Sequence, residues 1–495
     1  MLFTSALFSF LYLPIVAVGF FLLGRAPRMA AAWLGLASVY FYGYWMLEYV
    51  VLLLVSIVAN YGFGIIIGRL RDRAGGSGEI SARIALTSGL IFNLGLLSWF
   101  KYANFLLDTL RAVTVLNLPG IEVILPIGIS FFTFTQIAFL VDTFTKGTRE
   151  YRFIHYLLFV TYFPHLIAGP VLHHAQMMPQ FADPDIYRPQ VAKIAAGLGL
   201  FALGLIKKIV LADGIASYAN AVFDATASGY SPTAFEAWIG AVAYTLQLYF
   251  DFSGYSDMAV GLSMIFGVRL PFNFASPYRA TNISEFWRRW HMTLSAFLRD
   301  YLYIPLGGNR HGNLRRIINL MVTMLLGGLW HGASWTFVAW GGLHGLYLVA
   351  HHGFGNMFTR YLACFLPRTA TVLIAWLITM LAVIVAWVFF RAVDFTTAST
   401  ILSAMFLIAD TDPFPKILFN AGLDTSRGIW LILTWSLIAV LPMNSNNLFD
   451  RHLGICMRSQ SVAWFSTGAA VTMVTALITI NELRTSTSPF IYFNF

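Results

Sequence analysis

The sequence predicts an all-α protein that crosses a membrane many times. Of its 495 residues, 58% are hydrophobic and only 11% are charged, and the mean hydropathy is +0.71. A soluble domain carries roughly a quarter charged residues. Apolar stretches of about 20 residues recur from end to end, the length a helix needs to cross a hydrocarbon core of about 30 Å. We count about eleven or twelve such spans.

The predicted spans form two series that are separated by a more polar block. The first span, 6–24, is interpreted as a retained helix, because no basic region precedes it and no small-residue cleavage site follows. Residues 249–316 are polar and rich in aromatics, and we expect short or tilted helices around an internal cavity there. The remaining spans are 29–45, 46–68, a stretch to about 116, 127–141, 153–167, 191–211, 234–248, 317–350, 370–390, 430–441 and 463–480.

The charge distribution indicates orientation rather than a nucleic-acid partner. The net charge is +9, but the basic residues cluster in short loops between spans, as the positive-inside rule predicts. The clusters at Arg25–Arg28 and Arg69–Arg83 fall on one side if the N-terminus is outside. No composition shift divides the chain, and its one flexible segment, Arg73–Gly78, is short. Residues 1–495 are therefore predicted to form a single transmembrane domain.

The sequence does not predict a metal site. Cys364 and Cys456 are too few and too far apart for a thiolate site or a disulfide framework. His173 and His174 are adjacent, and neighbouring residues on a helix point about 100° apart. No cysteine or carboxylate stands near them at ligand spacing. We interpret both histidines as structural.

His331 lies within a run, 325–335, whose other residues suit a bilayer. An ionisable side chain at membrane depth is costly, so it usually lines a cavity and has a function there. Glycines such as Gly328 remove side chains around it and would let a substrate or another helix approach. Trp330 and Trp335 would supply walls. A neutral imidazole in such a site can act as a general base.

His291 is the second candidate catalytic residue. It belongs to the polar block, with Glu285, Arg288 and Arg289 on neighbouring turns, and could meet His331 only through tertiary folding. A structural role in a salt-bridge cluster is an equal alternative.

His344 lies thirteen residues beyond His331. The two side chains do not share a face of a regular helix unless Gly341–Gly342 breaks it, so a dyad is not predicted. No serine or cysteine stands in a nucleophile elbow motif. This favours direct transfer between two bound substrates, assisted by a base, over a triad-type acyl-enzyme.

A transporter is the main alternative class, since broken helices and intramembrane polar residues are also found at transport sites. Against it, no inverted repeat is evident and acidic residues are scarce within the spans. A purely structural scaffold is disfavoured, because a scaffold has no need of a histidine in a glycine-lined pocket.

Seven segments carry a family resemblance: Pro126–Phe134, Phe163–Pro170, Tyr249–Asp257, Phe286–Ser295, Tyr303–Arg310, Leu329–Trp335 and Phe490–Phe495. Together they resemble the membrane-bound O-acyltransferase family. Within it they are similar to the bacterial branch that includes the alginate O-acetyltransferase membrane subunit and the D-alanyl transfer protein of teichoic acids. The resemblance runs from about residue 126 to the C-terminus.

The resemblance implies that the family's near-invariant histidine falls on His331 and a second polar position on His291. It also implies a ring of tilted helices around a thin centre, with a donor funnel from the cytoplasm. The donor would be a thioester: acetyl-CoA in the acetylating members, or an aminoacylated carrier protein in the teichoic acid member. The chain's length is more similar to the acetylating group. No cofactor beyond this donor substrate is expected.

The resemblance further implies an acceptor such as alginate, cellulose or peptidoglycan, a bacterial inner-membrane location, and a separate periplasmic partner of the SGNH-hydrolase type. The basic and aromatic stretch 287–316 would suit a donor that carries phosphate. The expected substrate-binding residues are Trp287, Arg288, Arg289, Trp290, Trp330 and Asn309.

Overall fold

The computed structural model describes residues 1–73, 76–114, 123–150, 152–167, 169–408, 416–484 and 488–491. These residues form helices and no strand, so the all-α prediction is confirmed. Parts of some predicted features lie outside the described residues. They are Ala74 and Gly75 of the flexible segment, the end of the span to about 116, Ala168 of the segment Phe163–Pro170, and Tyr492–Phe495.

The α-helices among the described residues are α1 (Leu13–Leu22), α2 (Pro27–Gly43), α3 (Val50–Arg71), α4 (Gly76–Leu97), α5 (Ala103–Val113), α6 (Ile129–Thr145), α7 (Phe153–Thr161), α8 (Phe163–Leu166), α9 (His174–Phe181), α10 (Val191–Leu205) and α11 (Asp213–Ala227). They continue as α12 (Ala234–Ile265), α13 (Ile283–Arg289), α14 (Met292–Leu298), α15 (Gly312–His331), α16 (Trp335–Phe365), α17 (Arg368–Arg391), α18 (Phe395–Met405), α19 (Ile417–Asn420), α20 (Thr425–Ala439), α21 (Ser445–Arg458) and α22 (Gln460–Glu482). The π-helical segments are Leu7–Tyr12, Ser98–Tyr102, Ile206–Ala212 and Arg299–Tyr303.

Six helical segments of the described chain are long and apolar enough to cross a membrane. They are Leu7–Arg25, Leu47–Arg71, Gly78–Val113, Val191–Ala227, Arg368–Arg391 and Gln460–Glu482. Arginines stand at the ends of several of them, where long side chains reach the interface and cations favour a helix C-terminus. The protein is therefore a multi-pass membrane protein, as the sequence predicted. The count of eleven or twelve spans stays a prediction.

The described residues pack into two compact units. The first comprises Met1–Leu205, Tyr255–Phe272 and Phe449–Pro489, and the second comprises Ile206–Gly254, Asn273–Leu448 and Phe490–Phe495. Whether residues 1–495 behave as a single domain stays a prediction.

Side-chain amides join two apolar helices in the first unit. Asn60 of α3 and Asn93 of α4 exchange hydrogen bonds of 3.1 and 2.6 Å, and both side chains are buried. In a lipid-facing helix pair such contacts replace the water that the amides would otherwise need. This exchange fixes α3 against α4.

Helix α12 is longer than predicted: a span was expected to end at Leu248, with short or tilted helices from residue 249. The helix continues without a break to Ile265. Its polar residues Asp251 and Ser253 are at most 1% exposed. A polar side chain that is surrounded by protein does not break a helix, because the backbone keeps its own hydrogen bonds. Within the block 249–316, the predicted short helices occupy only residues 277–303.

The predicted span 317–350 is also wrong as a continuous helix. It divides into α15 and α16, which are separated by Gly332–Ser334. Gly332 is extended, with φ −160° and ψ 148°, and ends α15 directly after His331. The break therefore lies at Gly332 and not at Gly341–Gly342, where the sequence analysis had considered it.

Candidate active site

His331 is the last residue of α15 and is 2% exposed. Its ring lies 5.0 Å from Trp340 and 5.2 Å from Phe390, measured between ring centroids. Trp330 completes the surroundings at 4.9 Å. The helix end places the imidazole in an aromatic enclosure, where bulk water is excluded and electrostatic interactions are strong.

His291 immediately precedes α14 and is fully buried. Its backbone is left-handed, with φ 42° and ψ 53°, a conformation that costs a non-glycine residue about 1–3 kcal/mol. Asn273 holds this turn, because its carbonyl oxygen accepts from Met292 N–H at 2.9 Å and its Oδ1 accepts from the Thr293 hydroxyl at 2.6 Å. Strain that is held so firmly points to a use for the side chain.

Tertiary folding brings the two histidines together. Their ring centroids are 6.4 Å apart, although 40 residues separate them in the sequence. Within the part of the chain that the structure describes, neither ring nitrogen of His291 has a hydrogen-bond partner. Buried polar atoms nearly always have one. The arrangement therefore offers a substrate two buried ring nitrogens beside His331.

The predicted tryptophans line this enclosure rather than an open groove. Trp290 is fully buried and lies 5.0 Å from Trp387 and 5.6 Å from Phe286. Trp287 contacts His344 at 5.2 Å. Trp330 contacts both candidate catalytic rings, at 4.9 Å from His331 and 6.1 Å from His291. These residues shape the site by packing.

Trp340 separates His344 from the pair. Its ring lies 5.0 Å from His331 and 4.9 Å from His344. Trp340 and Phe390 were not among the site residues predicted from the sequence. Tryptophans are common in the spans of this chain, and the break at Gly332–Ser334 leaves His331 and Trp340 without a common helix register, so no local pattern singled out Trp340.

The three polar residues predicted to bind substrate differ in their surroundings. Arg289 is engaged within the protein: it donates to Glu285 at 2.8 and 3.1 Å and to the Ala275 carbonyl at 3.1 Å. Arg288 is exposed, and no described residue pairs with it. Asn309 is exposed in the turn between the π-helical segment Arg299–Tyr303 and α15. Arg288 and Asn309 thus lie at the surface, outside the buried ring cluster.

A carboxylate does stand near His174, contrary to the sequence analysis. Glu150 Oε2 lies 3.2 Å from His174 Nε2 and 3.9 Å from His155 Nδ1. Burial raises the pKa of Glu150, but hydrogen bonds from His174 and from the Arg152 N–H outweigh it and leave the pKa below its ordinary value. Residues far apart in sequence meet here because the loop before α7 folds back on α9. Among the described residues, no group of three or more histidine, cysteine, aspartate or glutamate side chains is arranged to hold a metal ion.

The fold and the site define a class of protein: a multi-pass helical membrane protein with two buried histidines beside a helix break. A family model described as MBOAT, membrane-bound O-acyltransferase family, matches residues 96–393. Since this match covers more than half of the chain, the protein belongs to the membrane-bound O-acyltransferase family and is an acyltransferase.

Similar proteins come from the bacterial branch that the motifs predicted. The chain is 37% identical to the peptidoglycan O-acetyltransferase of Helicobacter pylori, over 100% of this chain and 98% of that protein. It is 38% identical to the probable alginate O-acetylase AlgI of Azotobacter vinelandii, over 100% of both. A teichoic acid D-alanyltransferase of Streptococcus thermophilus is 28% identical over 51% of this chain and 63% of its own length.

Proposed function

We propose that the protein moves an acetyl group from acetyl-CoA on the cytoplasmic side toward an envelope polysaccharide such as alginate, cellulose or peptidoglycan. The observation that carries this proposal is the buried pair of His291 and His331, 6.4 Å apart in an aromatic enclosure. Two full-length relatives with acetylation in their names support the acetyl group. The D-alanyltransferase matches only about half of the chain, so an acylated carrier protein is the alternative donor.

In this proposal His331 acts as the general base. As the acceptor hydroxyl oxygen forms its bond to the thioester carbonyl carbon, the imidazole takes the hydroxyl proton. The carbon–sulfur bond then breaks, and the imidazolium returns the proton to the departing thiolate. His291 positions the carbonyl through one of its ring nitrogens. The aromatic walls exclude water and so protect the thioester from hydrolysis.

The acceptor side requires a second protein. We propose a periplasmic partner of the SGNH-hydrolase type, which receives the acetyl group and modifies the polysaccharide. The protein would then lie in the bacterial inner membrane with its N-terminus outside. The partner and the location are proposed from the family resemblance, and the orientation is proposed from the basic loops.

The donor prediction contrasts two neighbouring arginines. Arg288→Ala is expected to weaken acetyl-CoA binding without lowering the melting temperature, since its exposed guanidinium has no partner among the described residues and can hold a phosphate. Arg289→Ala should lower the melting temperature, because it removes the bonds to Glu285 and Ala275. Calorimetry and thermal melts of purified protein in detergent measure both.

Two outcomes would contradict the donor assignment. Wild-type protein that binds and deacylates an aminoacylated carrier protein, but not acetyl-CoA, would replace the donor with the D-alanyl type. Folded protein that consumes neither thioester, with or without its acceptor, would return the transporter to consideration.

The topology prediction is tested by cysteine labelling in a background with Cys364→Ala and Cys456→Ala. An impermeant maleimide applied to intact spheroplasts should miss Arg71→Cys and label Leu47→Cys. Leu47 is 78% exposed and begins the span that ends at Arg71, so it reports the opposite face. The reverse pattern would place the donor side outside and overturn the orientation.

A further inference from the structure

A buried cluster of charges lies in the second unit. Lys208 Nζ is 2.8 Å from Asp213 Oδ1 and 2.6 Å from Asp251 Oδ1. The three side chains are 6%, 10% and 2% exposed, respectively. Lys208 belongs to the π-helical segment Ile206–Ala212 within an apolar span. Intramembrane charges are costly and π-helical turns are frequent at functional sites, so we expect this cluster to have a function.

Asp251 also holds a distant part of the chain. Its second oxygen, Oδ2, accepts a hydrogen bond of 2.9 Å from the backbone N–H of Ile491. The adjacent Phe490 is 2% exposed, and its ring lies 5.7 Å from Phe252. One carboxylate therefore joins the Lys208 helix to the segment Phe490–Ile491.

Phe252 connects that segment to the candidate active site. Its ring meets His291 edge-on, with 4.7 Å between centroids and 88° between the ring planes. It is fully buried, so it cannot shift without disturbing its neighbours. Phe490 lies against the same ring that fixes His291, which has no hydrogen bond of its own among the described residues. Packing, and not hydrogen bonding, orients this imidazole.

We propose that Asp251 is a positioning residue for acyl transfer: its Oδ2 anchors Phe490–Ile491 against Phe252 and thereby fixes His291. The proposal rests on the role of His291 in the function proposed above. Phe252 and Phe490 transmit the contact, and neither they nor Asp251 need touch a substrate. The property of Asp251 that matters for this role is the oxygen that accepts from Ile491 N–H, and not the negative charge.

A matched pair of triple variants separates the anchor from the ion pair. Both carry Lys208→Met and Asp213→Asn, and they differ only in Asp251→Asn or Asp251→Leu. Each removes all three charges with little change of volume, a replacement that buried ion pairs often tolerate. The Asn variant keeps an oxygen that can accept from Ile491, whereas the Leu variant has none.

We expect the Asn variant to transfer acyl groups within a few fold of wild type, and the Leu variant to lose kcat on the order of 10²-fold, the effect of a small misplacement of a reacting group. The KM for the thioester should change little in either. Phe490→Ala should also lower kcat, while Phe419→Ala, at a side chain that is 79% exposed, should not. Equal activity of the Asn and Leu variants would overturn the proposal.

Hydrogen–deuterium exchange gives a readout that is independent of catalysis. The peptide that contains Ile491 should exchange faster in the Leu variant than in the Asn variant, whether or not the protein transfers acetyl. Unchanged exchange in the Leu variant would show that Asp251 does not hold the segment. A wild-type protein with no transfer activity would instead contradict the proposed function. The anchoring of Ile491 by Asp251 would then be decided by the exchange measurement alone.

Discussion

Acyl transfer is expected to fall by about 10²–10⁴-fold when His331 is replaced by alanine, the usual contribution of a general base. The change corresponds to about 3–5 kcal/mol of activation free energy. His331 is buried but ends its helix, so its loss leaves the backbone of α15 intact. Donor binding and the melting temperature in detergent should stay close to wild type. The measurement is transfer of labelled acetyl from acetyl-CoA by purified protein or in cells.

His344→Ala is the matched control, since it removes an equally buried imidazole on the far side of Trp340. It should affect transfer only mildly. Envelope acetylation at the wild-type level in a His331→Ala strain without a second copy of the gene would remove the centre of the proposal. A loss that is as large for His344→Ala would show that the effect is structural.

Gly341→Ala should be nearly as damaging as loss of the base, because it separates α15 from α16. A Cβ at Gly341 would lie 2.3 Å from the Met324 carbonyl oxygen and 3.1 Å from the Gly328 Cα, so one helix must move. Overpacking of this kind typically costs 1–3 kcal/mol of stability. A shift of about 1 Å can cost 10²-fold in rate, since α15 carries His331 and α16 carries Trp340.

Gly342→Ala is the control for this prediction, because its Cβ would meet only Leu325 Cδ2 at an ordinary 3.5 Å. It should keep near-wild-type transfer and melting temperature. Thermal melts and transfer assays on the two variants, prepared together, make the comparison. Similar behaviour of both variants would mean that the close approach of α15 and α16 does not set the position of His331.

The helical membrane class was predicted correctly, because it depends on composition and local pattern. The same kind of pattern singled out His331, whose catalytic role stays a prediction. The sequence left open whether Gly328 admits a substrate or a helix, and the structure shows a helix: a Cβ there would lie 2.3 Å from the Phe337 carbonyl oxygen. It missed the break at Gly332, since hydropathy carries no information on backbone conformation. It ended α12 too early, because hydropathy reports on contact with lipid and α12 is surrounded by protein.

The pairing of His291 with His331 could not be deduced from spacing. The left-handed backbone at His291 depends on Asn273, eighteen residues earlier, and on the packing of α13 and α14. The anchoring of Ile491 by Asp251 joins positions that are 240 residues apart. Contacts of this range follow from tertiary structure alone, whereas the family motifs indicated only which segments matter.

The π-helical turn at Lys208 has a consequence for biogenesis. A lysine inside a spanning helix raises the free energy of translocon insertion by about 2.5–3.5 kcal/mol when it lies at the helix centre. Asp213 follows five residues later in the same span and accepts a hydrogen bond from Lys208, because a π-helical turn brings residues i and i+5 together. Asp251 emerges from the ribosome 43 residues after Lys208. The helix can thus enter the bilayer with its lysine already paired with Asp213, and Asp251 joins Lys208 as a second partner only when α12 has been synthesised.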